Sequence, residues 1–208
     1  GAHYTTIANN DDQLLIDFFK EHHIITHFEN DLPYYNEYYL TFDPEERLLI
    51  NGEWQEGLIP DFGVSNEHKM QIKKFLDEVE QLKFTKGSDG KYVFNIPISS
   101  CSQDQNFKQL DQISFKTYLD KKGYNSPYLL WYLNYACKDD YGQKIEKISA
   151  WAGLHYFASR RGKAANAEDN AILTWPEGNG WLAEQMTKDL EKNISTATLC
   201  YEISETTE

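Results

Sequence analysis

Apolar residues recur at helical spacing in some stretches of the chain and alternate at strand spacing in others. Leu14, Leu15, Phe18 and Phe19 share one face of a helix opened by Asn9, Asn10 and Asp11. It ends near His22-His23, where the β-branched Ile24, Ile25 and Thr26 begin. Three extended runs follow: Tyr38–Phe42, Arg47–Ile50 and Glu53–Glu56, joined by an Asp43-Pro44-Glu45-Glu46 turn and an Asn51-Gly52 turn. Asn-Gly between extended runs is the strongest short hairpin signal, so these runs predict a three-stranded meander.

Ser65 caps a helix of about five turns through Lys83, with Met70, Ile72, Phe75, Leu76, Val79 and Leu82 at three-four spacing. A Gly87-Ser88-Asp89-Gly90 turn precedes a short strand, Lys91 to Ile96, and Pro97 to Gln109 reads as a polar exposed loop. Ser114 opens a short helix that Gly123 ends. Ser126-Pro127 opens another, whose apolar residues Tyr128, Leu129, Leu130, Trp131, Leu133 and Ala136 face several sides, until Asp139-Asp140-Tyr141-Gly142 breaks it. A helix over Ile145 to Ser159 ends at Arg160-Arg161-Gly162, and Gly162 to Asn170 reads as a polar linker. A strand then runs into Pro176, Gly178 and Gly180, a helix reaches Leu190, and a strand covers Thr198 to Ser204. The fold class is α+β: a mostly helical body with a small antiparallel meander and short strands, and no complete Rossmann domain.

With 208 residues, 40% hydrophobic and 14% aromatic, the chain has enough apolar material for a globular core. Its 33 acidic and 20 basic residues give a net charge of −13, against a general affinity for nucleic acid or an anionic membrane. No run of apolar residues is long enough to span a bilayer. No charged-then-apolar leader pattern opens the chain, and the compartment stays open between cytoplasm and, for an exported parent, periplasm. Cys101, Cys137 and Cys200 are scattered and make neither a disulfide framework nor a CxxC site. The 14 tyrosines supply apolar area with a polar tip, suited to core, cleft or interface.

Several residue groups contain reactive types. His22, His23 and His27 with Asp31 hold metal-ligand types, but β propensity after His23 argues against the shared helix face they need, and no metal is expected. Cys137 and His155, with Asp139 and Asp140, have the residue types of nucleophilic catalysis but no diagnostic order. Asp139 and Asp140 at a helix C-terminus are electrostatically unfavourable and call for a partner, Arg160 or Arg161. Trp131, Tyr132, Tyr135, Tyr141, Trp151, Tyr156 and Phe157 are core material, part of which can wall a cavity. Near-adjacent Gly178 and Gly180 bring bare backbone and a helix N-terminus together, which suits close approach of a flat or anionic ligand.

That last passage, Leu173 to Leu190, resembles the segment of flavin-dependent amine oxidases and phytoene-desaturase-like oxidoreductases that returns the chain from substrate domain to FAD domain. Gly1–Tyr4, Glu46–Pro60, Asn134–Gly142 and Ser149–Arg160 are similar to a bacterial subgroup of the same FAD/NAD(P)-binding proteins. The departure is Gly178-Asn179-Gly180 where the family pattern has Gly-Gly. The resemblance implies a substrate-binding (cap) domain over 1–170 and a strand-turn-helix-strand segment over 171–208 leading back to the FAD-binding domain. It places Pro176, Gly178, Asn179 and Gly180 at the cofactor and Trp175 as an aromatic wall. Asp139, Asp140, His155, Tyr156 and Arg160 become candidates for orienting a small-molecule substrate. No GxGxxG follows a strand, so the groups that hold the FAD pyrophosphate are missing. The expected reading is a substrate-domain fragment of an FAD-dependent oxidoreductase, with no FAD on the isolated chain and no turnover by it alone. Its implied partner is the FAD-binding domain of the same parent. The competing readings are a non-catalytic interaction module with a tyrosine-rich surface, and a hydrolase built on Cys137 and His155.

Overall fold

Polar caps and left-handed turns divide the chain into short elements. A computed structural model describes residues 4–41, 46–168 and 171–205. The fold is α+β, with seven helices and small antiparallel two-stranded sheets among those residues. Strand β1 (Thr5–Thr6) leads to helix α1 (Gln13–Glu21), capped by Asp12, whose carboxylate accepts from Leu15 N at 3.3 Å. The cap is thus one residue past the expected trio, because Asn9 and Asp11 are engaged elsewhere. Strands β2 (Ile25–Glu29) and β3 (Leu32–Tyr35) form a hairpin over Asn30-Asp31, both left-handed at φ 49° and 65°.

Strands β4 (Arg47–Ile50) and β5 (Glu53–Glu56) form the hairpin that Asn51-Gly52 predicts. The third strand of the expected meander is absent. Tyr38 and its neighbours turn instead, and Leu40 bridges to Leu173 of β6 (Ile172–Leu173), which pairs antiparallel with β1. The backbone groups that would join β4 are spent there: Thr41 N donates to Ile172 O and Thr174 N to Tyr39 O. Phe42 to Glu45, with most of the expected 43–46 turn, lie outside the described residues.

Helix α2 (Asn66–Lys83) buries Ile72, Phe75 and Val79, while Met70, expected on its apolar face, is exposed. The Lys91–Ile96 strand is replaced by irregular chain. Val93, Phe94 and Asn95 are buried in succession, and Val93 N donates to Thr85 O while Ser102 N donates to Tyr92 O, so no repeating ladder forms. The loop after it is only partly exposed: Cys101 and Ser102 are buried and α3 (Gln105–Lys108) forms within it. Helices α4 (Phe115–Lys121) and α5 (Pro127–Tyr141) start at Ser114 and Ser126, which accept from Thr117 N and Leu129 N, and Gly142 ends α5 at φ 65°. Helix α6 (Ala150–Ala158) begins later than the expected Ile145. Residues 145–149 are drawn against 113–116 instead, with Phe115 N donating to Ile148 O and Lys116 N to Ile145 O.

Two apolar cores result. One packs α2, α4, α5 and α6, and is so tight at Gly153 that a Cβ there would stand 2.3 Å from the Phe115 ring. The other joins Ile7, Ile16, Phe19, Ile24 and Tyr35 with Leu173 and Trp175, residues from both sides of position 170. The 162–170 stretch is no slack linker where described. Gly162 lies so close to the backbone that a Cβ would meet Ile7 O at 2.3 Å, and the Asn166 amide bonds both Tyr35 N and Tyr35 O. Asp169 and Asn170 lie outside the described residues. Helix α7 (Gly180–Thr187) stops short of Leu190. Thr198–Ser204 forms no strand because no described edge pairs with it; Leu199, Tyr201 and Ile203 are 83–90% exposed. Among the described residues no helix is long and apolar enough to cross a membrane.

Arg161 links the two cores. Its guanidinium donates to Phe94 O at 2.9 Å, Asn95 Oδ1 at 2.8 Å and both Asp11 carboxylate oxygens at 3.1 Å, and it lies over the Tyr92 ring. Asn9 completes the network, accepting from Arg161 N and donating to Asn95 Oδ1 and Ser159 O. Arg161→Met should lower unfolding stability by about 1–3 kcal/mol, since the variant removes the donor to the Phe94 carbonyl and one donor to buried Asn95, while exposed Asp11 returns to water. Urea denaturation measures this; a loss under about 1 kcal/mol would deny the linkage.

A second, partly buried polar cluster joins α2 to α4. Tyr118 and Tyr124 hydroxyls and Lys122 Nζ all donate to the Glu78 carboxylate, at 2.6, 2.8 and 2.7 Å. Burial alone would raise the Glu78 carboxyl, but these bonds outweigh it and hold it below its ordinary value. A lowered folded pKa gives stability that is present above the unfolded value, about 4.3, and is lost as pH falls through the folded one. Glu78→Gln should therefore flatten the acid side of the stability profile, read from urea midpoints at descending pH.

Candidate functional site

The last turn of α5 and the end of α6 bring Asp140, His155, Tyr156 and Arg160 to one locality. The expected partner for the paired aspartates is Arg160, whose Nη2 stands 3.6 Å from Asp140 Oδ2. That is an ion pair through space and too long for a hydrogen bond. Arg160 also lies over the Tyr156 ring, 4.4 Å from its centroid, and hydrogen-bonds Tyr4. Tyr132 and Tyr141 also lie within its field. Asp139 is exposed on the adjoining turn and acts on the site through its charge.

The electrostatics follow from partial burial. Burial raises the Asp140 carboxyl; Arg160 pulls it back, Asp139 pushes it further up, and the net shift is upward. Burial and then Arg160 depress His155, against the opposing effect of the hydrogen bond its ring donates to the Asn95 carbonyl. His155 is therefore a neutral imidazole near pH 7. Its Nε2 lies 2.8 Å from Asn95 O, and a carbonyl only accepts, so Nε2 carries the proton and Nδ1 is the basic nitrogen. The ring stacks on Trp151 at 4.9 Å. Burial pushes the Tyr132 and Tyr141 phenols up to about 12 and Tyr156 higher, so all three remain hydrogen-bond donors. The locality thus combines one fixed cation, a carboxylate, phenolic donors and aromatic faces. It suits orientation of a polar group on a small molecule.

The hydrolase arrangement is not assembled. Cys137 is fully buried, burial followed by Asp140 pushes its thiol up to about 12, and no hydrogen bond joins it to His155. The histidines near α1 are dispersed: His22 packs on Phe18, His23 is left-handed, and His27 stacks on Tyr34 and pairs with Glu29. Among the described residues no three His, Cys, Asp or Glu side chains group as metal ligands.

The glycine-bearing turn forms a second locality. Trp175 is 4% exposed and stacks on Trp181 at 5.8 Å and 15°, with Tyr39 tilted against both. The Trp175 ring, the expected aromatic wall, is enclosed, and the half-buried Trp181 lies against its outer side. The Trp175 indole N–H is buried with no acceptor among the described residues. Pro176 and Glu177 are exposed, Gly178 is left-handed at φ 77°, and Asn179 precedes α7. Nothing lies within 4 Å of where a Cβ on Gly178 or Gly180 would stand, so the backbone there is bare. The pairing Thr5↔Leu173 sets Tyr4 level with Thr174, so β1 and β6 link this turn to the Arg160 locality. Tyr4, Trp181, Tyr39 and Asn95 were not singled out from the sequence. Each gains its place from a partner distant along the chain, and only the Pro-Gly turn signal pointed near Trp181.

The chain matches no protein-family model, no curated protein and no solved structure.

Arg160→Gln should raise the titration points of both Asp140 and His155, because the same positive charge depresses each. Side-chain NMR titration resolves the two; no movement in either would remove Arg160 from the centre of the cluster.

Proposed function

We propose that the chain is the substrate-binding (cap) part of an FAD-dependent, amine-oxidase-like oxidoreductase, shaping the cavity in which a C–H or C–N bond is oxidised. The observation that carries the reading is the turn outside the Trp175–Trp181 stack, where the backbone at Gly178 and Gly180 is bare. A flavin ring is flat, so it suits close approach to glycine backbone. The turn lies within the residues whose pattern resembles that family.

In this reading Trp175, Pro176, Gly178, Asn179 and Gly180 stand at the ring. The pyrophosphate is held by the FAD-binding domain of the parent, since the chain has no GxGxxG. The bound flavin supplies the acceptor for hydride. Arg160, with Tyr156 and Tyr4, orients the substrate's polar group, and the charge of Asp140 limits how strongly Arg160 attracts anions. Neutral His155 offers Nδ1 as a proton acceptor. Trp175 and Trp181 exclude water. The exposed alternation of Leu199, Tyr201 and Ile203 supports docking onto another folded body.

A second reading, a non-catalytic interaction module, draws on two exposed aromatic features. Leu49 and Trp54 face each other across β4 and β5 at 55% and 67% exposure, and Trp131 stacks on Tyr135 on the outside of α5. It predicts a protein partner and no flavin.

The product of the whole gene carrying this chain should purify with a bound-flavin absorbance band. Gly180→Leu, which sets a side chain in the open space over the bare backbone, should weaken flavin retention about five- to tenfold. A flavin-free product that cannot be reconstituted with FAD would refute the assignment.

A further inference from the structure

A hollow on the described surface is lined by Lys138, Gly142, Gln143, Lys144, Glu146 and Lys147, just beyond the C-terminus of α5. It is open, with a volume of about 620 Å³, within the range of small-molecule sites. All its lining side chains are exposed, and none of the three lysines forms an ion pair or a side-chain hydrogen bond with a described residue. On a chain of net charge −13, three lysines and the single Glu146 make the lining of this hollow net positive, with Asp139 and Asp140 on the adjoining turn of α5.

The negative end of the α5 dipole accounts for Lys138, which lies in the last helical turn. It does not account for Lys144 and Lys147. They follow the left-handed Gly142 cap, and the dipole's influence fades within the terminal turn. The segment carrying them is held in place. Gly142 N donates to Lys138 O, Lys147 N to Lys144 O, Lys116 N to Ile145 O, and Ile145 N to Asn134 Oδ1, with Ile145 buried beneath. The lysines therefore project from a fixed backbone.

We infer that this hollow binds a dianionic phosphate group, either free or as part of a small phosphorylated molecule. Three ammonium charges against the one carboxylate of Glu146 give the lining itself a charge of +2. A phosphomonoester carries about −1.5 to −2 near pH 7, which matches that sum. Lys144 and Lys147 hold the phosphate oxygens, Lys138 adds charge from the helix end, and Gln143 offers a neutral donor. The lysine stems supply apolar walls for whatever the phosphate is attached to. This site is independent of the flavin reading, and the failure of either leaves the other standing.

The test is an NMR titration of the chain with inorganic phosphate and, separately, with adenosine monophosphate at constant ionic strength. Saturable amide shifts confined to residues 138–147 are expected with at least one probe. Tighter binding of the nucleotide assigns the site to a phosphorylated molecule; equal binding assigns it to phosphate itself. Lys144→Met and Lys147→Met should each weaken binding about fivefold, and Glu146→Gln should tighten it about two- to fivefold by removing the opposing charge. Tightening in E146Q separates a ligand site from a purely structural role. Absence of saturable shifts with both probes overturns the proposal. So does an unchanged response in the K144M/K147M double variant with its fold intact by circular dichroism.

Discussion

A guanidinium removed from water must have its donors satisfied by the protein, and Arg161 meets that demand only where two otherwise separate cores touch. Asp11 and Asn9 come from one side, Phe94 and Asn95 from the other. Neither set alone completes the network. The charge therefore fixes how α1 sits relative to the irregular chain through Asn95. It also anchors the residue next to Arg160, so the backbone beneath the candidate site cannot drift. Asn95 carries the constraint onward: its side chain belongs to the Arg161 network and its carbonyl sets the tautomer of His155.

This matters because the sheets contribute little by themselves. Each has two strands, and isolated pairs are marginal in water. The β1/β6 pair persists because Leu173, Ile7 and Trp175 bury around it, and Gly162 lets the backbone come close. On the helical side, the Glu78 carboxylate with two tyrosines and a lysine performs a comparable role between α2 and α4. Apolar burial supplies the drive in both halves, and buried polar groups with complete partners select the arrangement.

What could be read from the sequence was local. Ser114, Ser126, Gly123, Gly142 and Asn51-Gly52 act through neighbours a few residues away, and each marks a boundary where it was expected. Asn30-Asp31 makes a left-handed turn without glycine and so gave a weaker signal. The late start of α6 and the loss of the 91–96 strand follow from backbone partners at 113–116, 85 and 102, which periodicity cannot report. In the candidate site, the Asp140–Arg160 pair was legible because two carboxylates at a helix C-terminus conflict locally. Tyr4 and the enclosure of Trp175 depend on the register between β1 and β6, and nothing near either residue encodes it.

The uncovered run at 198–204 has a cost for the molecule as a material. Leu199, Tyr201 and Ile203 alternate with Cys200 and Glu202 along a backbone in no strand, a sequence pattern of the kind that pairs with copies of itself. Glu202 is the one charge inside the run and acts as a gatekeeper. The strong negative charge of the whole chain adds colloidal repulsion between copies. Concentrated salt screens that repulsion and leaves Glu202 as the charge that opposes self-pairing at this run.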